Sequence, residues 1–228
     1  MKRGKLIVIE GSDGAGKTTQ LELLAKYLKE NGQDVEIFDF PNYDSFFGKL
    51  ITRYLHGELG EPKDISGYYK ALPYALDRFT HLKKMEEALS LGKIILCDRY
   101  TISNLAHQST GFTQQSDKEE FWKWYEQFEY IELGLPREDL VIYLYIDPKV
   151  SQSLFQNRIK KAYLQGKTLD KHEEDQKYLE IVTQRYLELC ELKSHWKKII
   201  CTNENNELSS IENIHQKVIE LVTNFLKK

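Results

Sequence analysis

The side chains best suited to chemistry stand near the amino terminus, directly after a short apolar run. The stretch from Gly11 to Thr18 has the pattern G-x-x-x-x-G-K-[ST], in which glycines let backbone N–H groups converge on phosphate oxygens. A helix that begins at the lysine adds partial positive charge at its N-terminus. Lys17 is expected to contact the terminal phosphates of a nucleotide, and the hydroxyl of Thr18 to bind Mg²⁺. We predict that one continuous segment binds the nucleotide: Gly11, Ser12, Asp13, Gly14, Ala15, Gly16, Lys17, Thr18 and Thr19.

A second group of candidate residues follows another apolar run, where the sequence reads Asp98-Arg99-Tyr100. If that run is a strand of the same parallel sheet, its carboxyl end lies on the edge that carries the phosphate loop. An aspartate at such a position typically helps to hold the Mg²⁺ of a nucleotide, and an arginine offers planar donors that suit a phosphate. The alternative is a surface ion pair between Asp98 and Arg99. The first interpretation predicts Asp98 as a metal ligand and Arg99 as a phosphate-binding residue.

The elements that must position these residues follow from hydrophobic periodicity. Short apolar runs predict strands at residues 5–9, 35–40, 94–97, 140–146 and 198–201. Helical spacing of apolar residues predicts helices at residues 17–29, 50–55, 68–91, 117–133, 150–193 and 208–226. Strands that alternate with helices indicate a doubly wound α/β fold, in which a parallel sheet of about five strands lies between two layers of helices.

Composition limits the class of protein and its partners. The chain has 228 residues, of which 41% are hydrophobic and 29% charged, the balance of a globular protein. We expect one domain, residues 1–228, with a mobile lid at about residues 157–174, where charge replaces large apolar side chains. A net charge of −3 argues against a nucleic-acid partner, and no apolar run is long enough for a membrane span. Three cysteines without metal-like spacing fit a reducing cytoplasm, where we expect the protein.

Taken in order along the chain, these features make the sequence similar to the thymidylate kinase family, whose members phosphorylate dTMP with ATP. The resemblance covers nearly the whole length and rests on Glu10–Gln20, Phe40-Pro41, Leu72–Arg78, Asp98-Arg99-Tyr100 with Ser103 and Gln108, Gly134–Leu140 and Arg185–Leu189. The phosphate loop alone indicates only a superfamily, whereas the ordered set is specific. The resemblance implies the P-loop kinase fold, ATP and Mg²⁺ as cofactors, and a homodimer.

The resemblance also implies how the acceptor nucleotide is held. Asp13 would position the acceptor and Arg99 would bind its phosphate. Arg78 would contact the edge of the base, Tyr74 would stack on thymine, and Tyr100 would line the sugar. The substrate-binding residues implied in this way are Asp13, Phe40, Pro41, Tyr74, Arg78, Arg99, Tyr100, Ser103 and Gln108.

Two departures from the family's pattern concern positive charge near the phosphates. Where family members often carry an arginine after the Phe-Pro pair, this chain has Tyr43, and one lost phosphate contact would weaken acceptor binding by about 1–3 kcal/mol if nothing replaces it. The alternatives are that Lys49 or Arg53 on the following helix supplies the contact, or that the acceptor is not dTMP. Where some members carry an arginine after the loop aspartate, this chain has Gly14. A basic lid would supply that charge, and Arg158 resembles the first lid arginine of the family; a solvated charged helix is the alternative. The predicted catalytic residues are Asp13, Lys17, Arg99 and Arg158.

The predicted activity is the phosphorylation of dTMP to dTDP by ATP, for dTTP synthesis. The alternatives are a related kinase that acts on another nucleotide or on a deoxynucleoside, and a non-catalytic nucleotide-binding relative. A deoxynucleoside kinase would need a carboxylate base, because its acceptor is a neutral hydroxyl. A small GTPase is disfavoured, since no N-K-x-D motif follows a later strand.

Overall fold

The computed structural model describes residues 2–12, 14–60, 64–147, 150–151 and 176–227. Strands β1 to β5 have the bounds Lys5–Gly11, Val35–Asp39, Ile94–Asp98, Leu140–Tyr145 and Trp196–Ile200. Helices α1 to α8 have the bounds Lys17–Glu30, Phe46–Leu55, Gly67–Phe79, Leu82–Ser90, Thr101–His107, Gln115–Gln127, Gln176–Leu192 and Ile211–Leu226. A 3₁₀ turn, Gln108–Gly111, follows α5, and a π-helical turn, Phe128–Glu132, follows α6.

The strands form one parallel sheet in the order β2-β3-β1-β4-β5. β1 lies at the centre, with Ile9 opposite Asp98 on one side and opposite Ile142 on the other. The phosphate loop and the segment after Asp98 therefore leave the sheet side by side at its carboxyl edge. The predicted doubly wound parallel sheet is confirmed.

Both faces of the sheet are covered by helices, because successive side chains of a strand point to opposite faces. Leu6 and Val8 pack in a core with residues from α3 to α7. Ile7 and Ile9 pack in a second core with residues from α1 and α8. Strands buried on both faces are continuous apolar runs, which is why the sequence pattern identifies them.

The helices differ from the sequence pattern in two places. The segment predicted as one helix over residues 68–91 forms two, α3 and α4, and the Thr80 hydroxyl donates to the carbonyl of Asp77 at 2.6 Å where the first one ends. No pattern predicts α5, because its seven residues include the weak helix formers Thr101, Ser103 and Asn104. The predicted lid and most of the predicted helix over residues 150–193 lie outside the described residues, and α7 covers Gln176–Leu192 of that range.

None of the helices that the structure describes combines the length and the apolar character that crossing a membrane requires.

Asp139 joins the start of β4 to the start of β1. Its carboxylate accepts hydrogen bonds from the backbone N–H of Leu6 at 2.8 Å, from Nζ of Lys5 at 3.0 Å and from the guanidinium of Arg3 at 2.9 Å. Burial opposes ionisation, but the three donors outweigh it and hold the pKa of Asp139 below its ordinary value of 3.8. The charged carboxylate therefore stabilises this corner of the sheet.

Asp139→Asn is expected to lower the free energy of unfolding by about 1–3 kcal/mol at neutral pH, because an amide replaces a charged acceptor of three hydrogen bonds. A depressed carboxyl pKa contributes stability above the unfolded-state pKa, and that stability is lost as the pH falls through the folded-state value. The difference between the two proteins should therefore shrink as the pH falls below 3.8. Denaturant unfolding across pH measures it, with Asp34→Asn, at an exposed carboxylate 3.6 Å from Lys93, as the control. A difference that stays constant in acid would contradict the prediction.

Candidate active site

The phosphate loop connects the buried end of β1 to the first turn of α1. Gly16 precedes the helix with a φ of 83°, in the left-handed region that favours glycine. A Cβ on Gly16 would meet no atom within 4 Å, so the backbone conformation, and not a lack of space, requires glycine. Lys17 is buried, and its Nζ donates to the backbone carbonyl of Ser12 at 3.2 Å. The amine is thus held over its own loop, at a helix N-terminus that favours an anion.

Thr18 and Asp98 bring two oxygen ligands together beside this loop. The Thr18 hydroxyl donates to the Asp98 carboxylate at 2.7 Å. Asp98 is the last residue of β3, and Asp39, the last residue of β2, lies opposite it in register. Burial and the charge of Asp98 raise the pKa of the Asp39 carboxyl, although the charges of Arg99 and Lys17 oppose this. Hydroxyl and carboxylate oxygens are the ligands that Mg²⁺ prefers, so the residues present fit a magnesium ion.

Arg99 follows β3 in an uncommon backbone conformation, with a φ of 64° in the left-handed region. Its backbone N–H donates to the carbonyl of Ile9 at 3.1 Å, which extends the pairing of β3 with β1. Its guanidinium lies 3.8 Å from the carboxylate of Glu10. Such a conformation is strained by about 1–3 kcal/mol in a residue other than glycine, and strain of this kind is found mainly at functional sites.

Glu10 is fully buried beside Arg99 and links β1 to two helices. Its carboxylate accepts hydrogen bonds from the hydroxyl of Ser103 at 2.9 Å, from the hydroxyl of Tyr186 at 2.9 Å and from the backbone N–H of Tyr100 at 3.1 Å. Burial raises the pKa of Glu10, even though the charge of Arg99 and these hydrogen bonds oppose the shift. Glu10 therefore ties Arg99 to α5 and to α7.

A cleft opens between the carboxyl edge of the sheet and helices α2, α3, α5 and α7, with Ser12 and Arg99 on the side of the phosphate loop. The peptide bond between Phe40 and Pro41 at its wall is cis. The lining residues that the sequence analysis named as site residues are Ser12, Phe40, Pro41, Tyr74, Arg78, Arg99, Ser103 and Gln108. The others are Tyr43, Tyr54, Leu55, Asn104, His107, Tyr143, Tyr178, Leu179, Val182, Thr183 and Tyr186.

The other expected site residues that the structure describes do not line this cleft: Gly11, Gly14, Ala15, Gly16, Lys17, Thr18 and Asp98, which lie on the side of the phosphate loop, and Thr19 and Tyr100. Tyr100 is fully buried, its ring packs near Phe40 and its hydroxyl donates to the carbonyl of Pro136 at 3.0 Å. Its large ring therefore belongs to the core, and the role expected for Tyr100 beside a sugar stays a prediction. Thr19 is exposed on α1. Asp13 and Arg158 lie outside the described residues.

The sequence patterns do not indicate two lining residues on α5, Asn104 and His107. Asn104 is buried and its Nδ2 donates to the carbonyl of Ala71 at 3.1 Å, whereas Nδ1 of His107 lies 2.9 Å from the hydroxyl of Tyr178. Asn104 shares a helix face with His107 and with Gln108, which follow it at spacings of three and four residues. Recognising α5 as a helix would have indicated them. The α7 tyrosines have no comparable local signal.

Arg78 lies in the wall of the cleft and forms a buried ion pair with Glu129, with NH2 and Oε1 2.5 Å apart. Burial opposes the charged guanidinium, but the carboxylate of Glu129 and its hydrogen bonds raise the pKa of Arg78 above its usual value. Since Glu129 neutralises that charge, Arg78 offers the cleft a hydrogen-bond donor rather than a net positive charge.

A parallel sheet with this strand order, a phosphate loop after its central strand and an arginine-lined cleft beside the loop define a P-loop nucleoside monophosphate kinase. The family model for thymidylate kinase matches residues 9–218. The chain belongs to the thymidylate kinase family, whose members transfer a phosphoryl group from ATP to dTMP.

Individual relatives agree with this assignment. The chain is 38% identical over 222 residues to a probable thymidylate kinase of Pyrococcus horikoshii, covering 96% of each protein. It is 29% identical over 225 residues to a thymidylate kinase of Schizosaccharomyces pombe, covering 97% of this chain and 93% of that protein. The solved structure of a thymidylate kinase from Candida albicans has the same fold, with a TM-score of 0.71 at 21% identity, covering 98% of this chain and 94% of the other.

Proposed function

We propose that this chain transfers the γ-phosphoryl group of ATP to dTMP in the cleft beside the phosphate loop, with dTDP and ADP as products. The observation that carries this proposal is the continuity of the two sites. Ser12 belongs to the phosphate loop and, with Arg99, lines the cleft that contains the buried polar side chains Arg78, Asn104 and Gln108. A phosphorylated pyrimidine bound there would direct its phosphate toward the donor.

On the donor side, the backbone N–H groups of the loop and Lys17 would bind the phosphates of ATP. Thr18 and Asp98 would hold Mg²⁺, which supplies positive charge that neutralises the phosphates. The described residues contain no group of three or more His, Cys, Asp or Glu side chains placed to hold a metal. A magnesium ion does not need one, because it keeps several waters and phosphate oxygens as ligands.

On the acceptor side, Arg99 would bind the phosphate of dTMP, and Tyr74 would stack on the base. Arg78 and Gln108 would contact the edge of the base, while Asp13 would position the acceptor. Tyr43 lines the cleft, so its hydroxyl is a candidate donor where family members often carry an arginine. A phosphate monoester is ionised near neutral pH, so no strong general base is needed. Catalysis would come from positioning and from the cations around the transferred group.

A coupled assay of ADP release with dTMP, dUMP, dGMP and thymidine tests the proposal. We expect turnover with dTMP, the acceptor named in the proposal, and less with the other three compounds. Activity with thymidine alone would indicate a deoxynucleoside kinase. Nucleotide binding without turnover of any monophosphate would indicate a non-catalytic relative.

We also propose that a lid at about residues 157–174, within the single domain 1–228, closes over ATP and that Arg158 contacts the transferred phosphoryl group. Arg158→Ala should then lower kcat by about 10²–10³-fold with a smaller change in the KM for dTMP, because its charge acts mainly on the transition state. Lys160→Ala is the matched control, since a lysine lacks the planar fork that binds phosphate oxygens. Equal effects of the two substitutions would argue against a specific role for Arg158.

The resemblance to the family further leads us to propose a homodimer in the cytoplasm. Large apolar side chains are exposed on neighbouring helices, including Phe46 of α2 and Tyr69 and Phe79 of α3. All three cysteines are free thiols, which fits a reducing compartment. Light scattering after size-exclusion chromatography measures the mass; a monomer at micromolar concentration would exclude the dimer.

A further inference from the structure

A buried polar network lies behind the part of the cleft lined by Arg78 and Asn104. Its centre is the carboxylate of Glu129, which is fully buried in the π-helical turn after α6. Glu129 accepts hydrogen bonds from Nε of Arg78 at 3.2 Å, from the hydroxyl of Thr101 and from the hydroxyl of Tyr125. Neither Glu129 nor Tyr125 lines the cleft.

The carboxylate determines the direction of every hydrogen bond at Tyr125. An ionised carboxylate only accepts, so the phenol must donate its single proton to Glu129. The phenolic oxygen is then an acceptor for all its other partners, which are NH2 of Arg78 at 2.6 Å and Nδ2 of Asn104. Burial raises the pKa of Tyr125 well above its ordinary value, and Glu129 adds to the shift although Arg78 opposes it. The proton therefore stays on the phenol.

The directions of the hydrogen bonds at Tyr125 also determine which atom Asn104 presents to the cleft. One Nδ2 proton goes to Tyr125 and the other to the backbone carbonyl of Ala71 at 3.1 Å. Both amide donors are thus engaged behind the cleft wall. The remaining polar atom is Oδ1, which faces Nε2 of Gln108, another lining residue, at 3.4 Å. Asn104 therefore presents an acceptor.

Arg78 is restricted in the same way. A guanidinium has five N–H groups. Glu129 takes Nε–H and one proton of NH2, Tyr125 takes the other, and the backbone carbonyl of Tyr100 takes one from NH1 at 3.3 Å. Among the described residues, one NH1 proton is left to point at a ligand. Arg78 therefore presents a single donor.

We propose that Tyr125 and Glu129 are positioning residues that fix the hydrogen-bonding pattern of the cleft as one acceptor, at Asn104, and one donor, at Arg78. The inference rests on the proposed function, because it concerns the base of the acceptor nucleotide. Thymine and uracil carry an N–H donor at N3 beside the O4 acceptor, which complements this pattern. Cytosine carries an acceptor at N3 beside an amino donor, which opposes it at both positions and leaves buried polar groups unpaired.

Tyr125→Phe tests the proposal, because it removes the acceptor of the Asn104 amide and keeps the ring. Only the carbonyl of Ala71 then holds that amide in its orientation, so kcat/KM for dTMP should fall about tenfold, and the preference for dTMP over dCMP should fall by at least a similar factor. The change should appear in KM more than in kcat, since the phosphates bind elsewhere. Tyr130→Phe is the matched control: it removes another buried phenol of the same region, whose hydroxyl donates to Glu138 at 2.6 Å. Its ratio of dTMP to dCMP activity should equal that of the wild type.

Glu129→Gln provides a second variant. A glutamine amide can donate to the Tyr125 oxygen, which allows the phenol to donate to Oδ1 of a turned Asn104 amide, so that only the carbonyl of Ala71 still favours the original orientation. The preference should again shift toward dCMP. Thermal unfolding verifies that each variant is folded, and a loss of stability alone would lower both activities without changing their ratio.

An unchanged preference in folded Tyr125→Phe, with wild-type protein that phosphorylates dTMP, would overturn the positioning role while leaving the proposed function intact. Wild-type protein that phosphorylates no pyrimidine monophosphate would instead overturn the proposed function, and this inference with it.

Discussion

Lys17→Met is expected to lower kcat with ATP and dTMP by about 10²–10³-fold, which is the size of effect seen when one preorganised hydrogen-bond donor to a transition state is removed. Lys17 is buried at the first position of α1, and its amine lies 3.2 Å from the carbonyl of Ser12. A cation held in this way needs little reorganisation when the transferred group develops charge. Methionine keeps the length and apolar stem of the side chain but removes the charge.

Lys26→Met is the matched control for this experiment. Lys26 belongs to the same helix, its side chain is 72% exposed, and it lies 3.9 Å from Glu30, so its loss should leave kcat near the wild-type value. Steady-state kinetics of both variants measure kcat, and thermal unfolding verifies that each variant is folded. If Lys17→Met retained most of the wild-type turnover, the charge of Lys17 in the phosphate loop would not contribute to catalysis.

Glu129→Ala is expected to lower the free energy of unfolding by about 3–5 kcal/mol, because it leaves the Arg78 guanidinium buried without its counter-charge. The side chains of this pair are only 2% and 0% exposed, so water does not reach the orphaned charge. Thr101 and Tyr125 would lose a hydrogen-bond acceptor in the same substitution. Denaturant unfolding at neutral pH measures the change.

A control variant and a double variant test whether the charge of the buried pair causes this loss of stability. Glu58→Ala breaks an ion pair of similar geometry, 2.9 Å from Arg53, whose side chains are 50% and 59% exposed, and should change stability by about 0–1 kcal/mol. Adding Arg78→Met to Glu129→Ala should restore part of the loss, since no unpaired charge then remains. A Glu129→Ala effect no larger than that of Glu58→Ala would show that the buried pair is not held by its charges.

The phosphate loop and the strands around it were predictable because their signals are local. Gly16 is specified by a backbone conformation that few other residues adopt, and Lys17 and Thr18 stand in fixed order after it. The central strands are buried on both faces, so they read as continuous apolar runs, and the positions of Asp98 and Arg99 follow from where one run ends. The family resemblance added the acceptor and the cleft residues Phe40, Pro41, Tyr74, Arg78, Ser103 and Gln108, which a pattern of single residues would not reveal.

The sequence by itself thus determined the nucleotide-binding loop, the parallel sheet and the class of enzyme, because each depends on neighbours along the chain. Only the tertiary structure decided which side chains share a site over long separations. Glu129 meets Arg78 51 residues away, and Tyr186 meets Glu10 176 residues away. Tyr100, adjacent to Arg99 in sequence, is instead buried in the core. Such partnerships arise from how whole helices pack against the sheet, and residue type and local spacing carry no information about them.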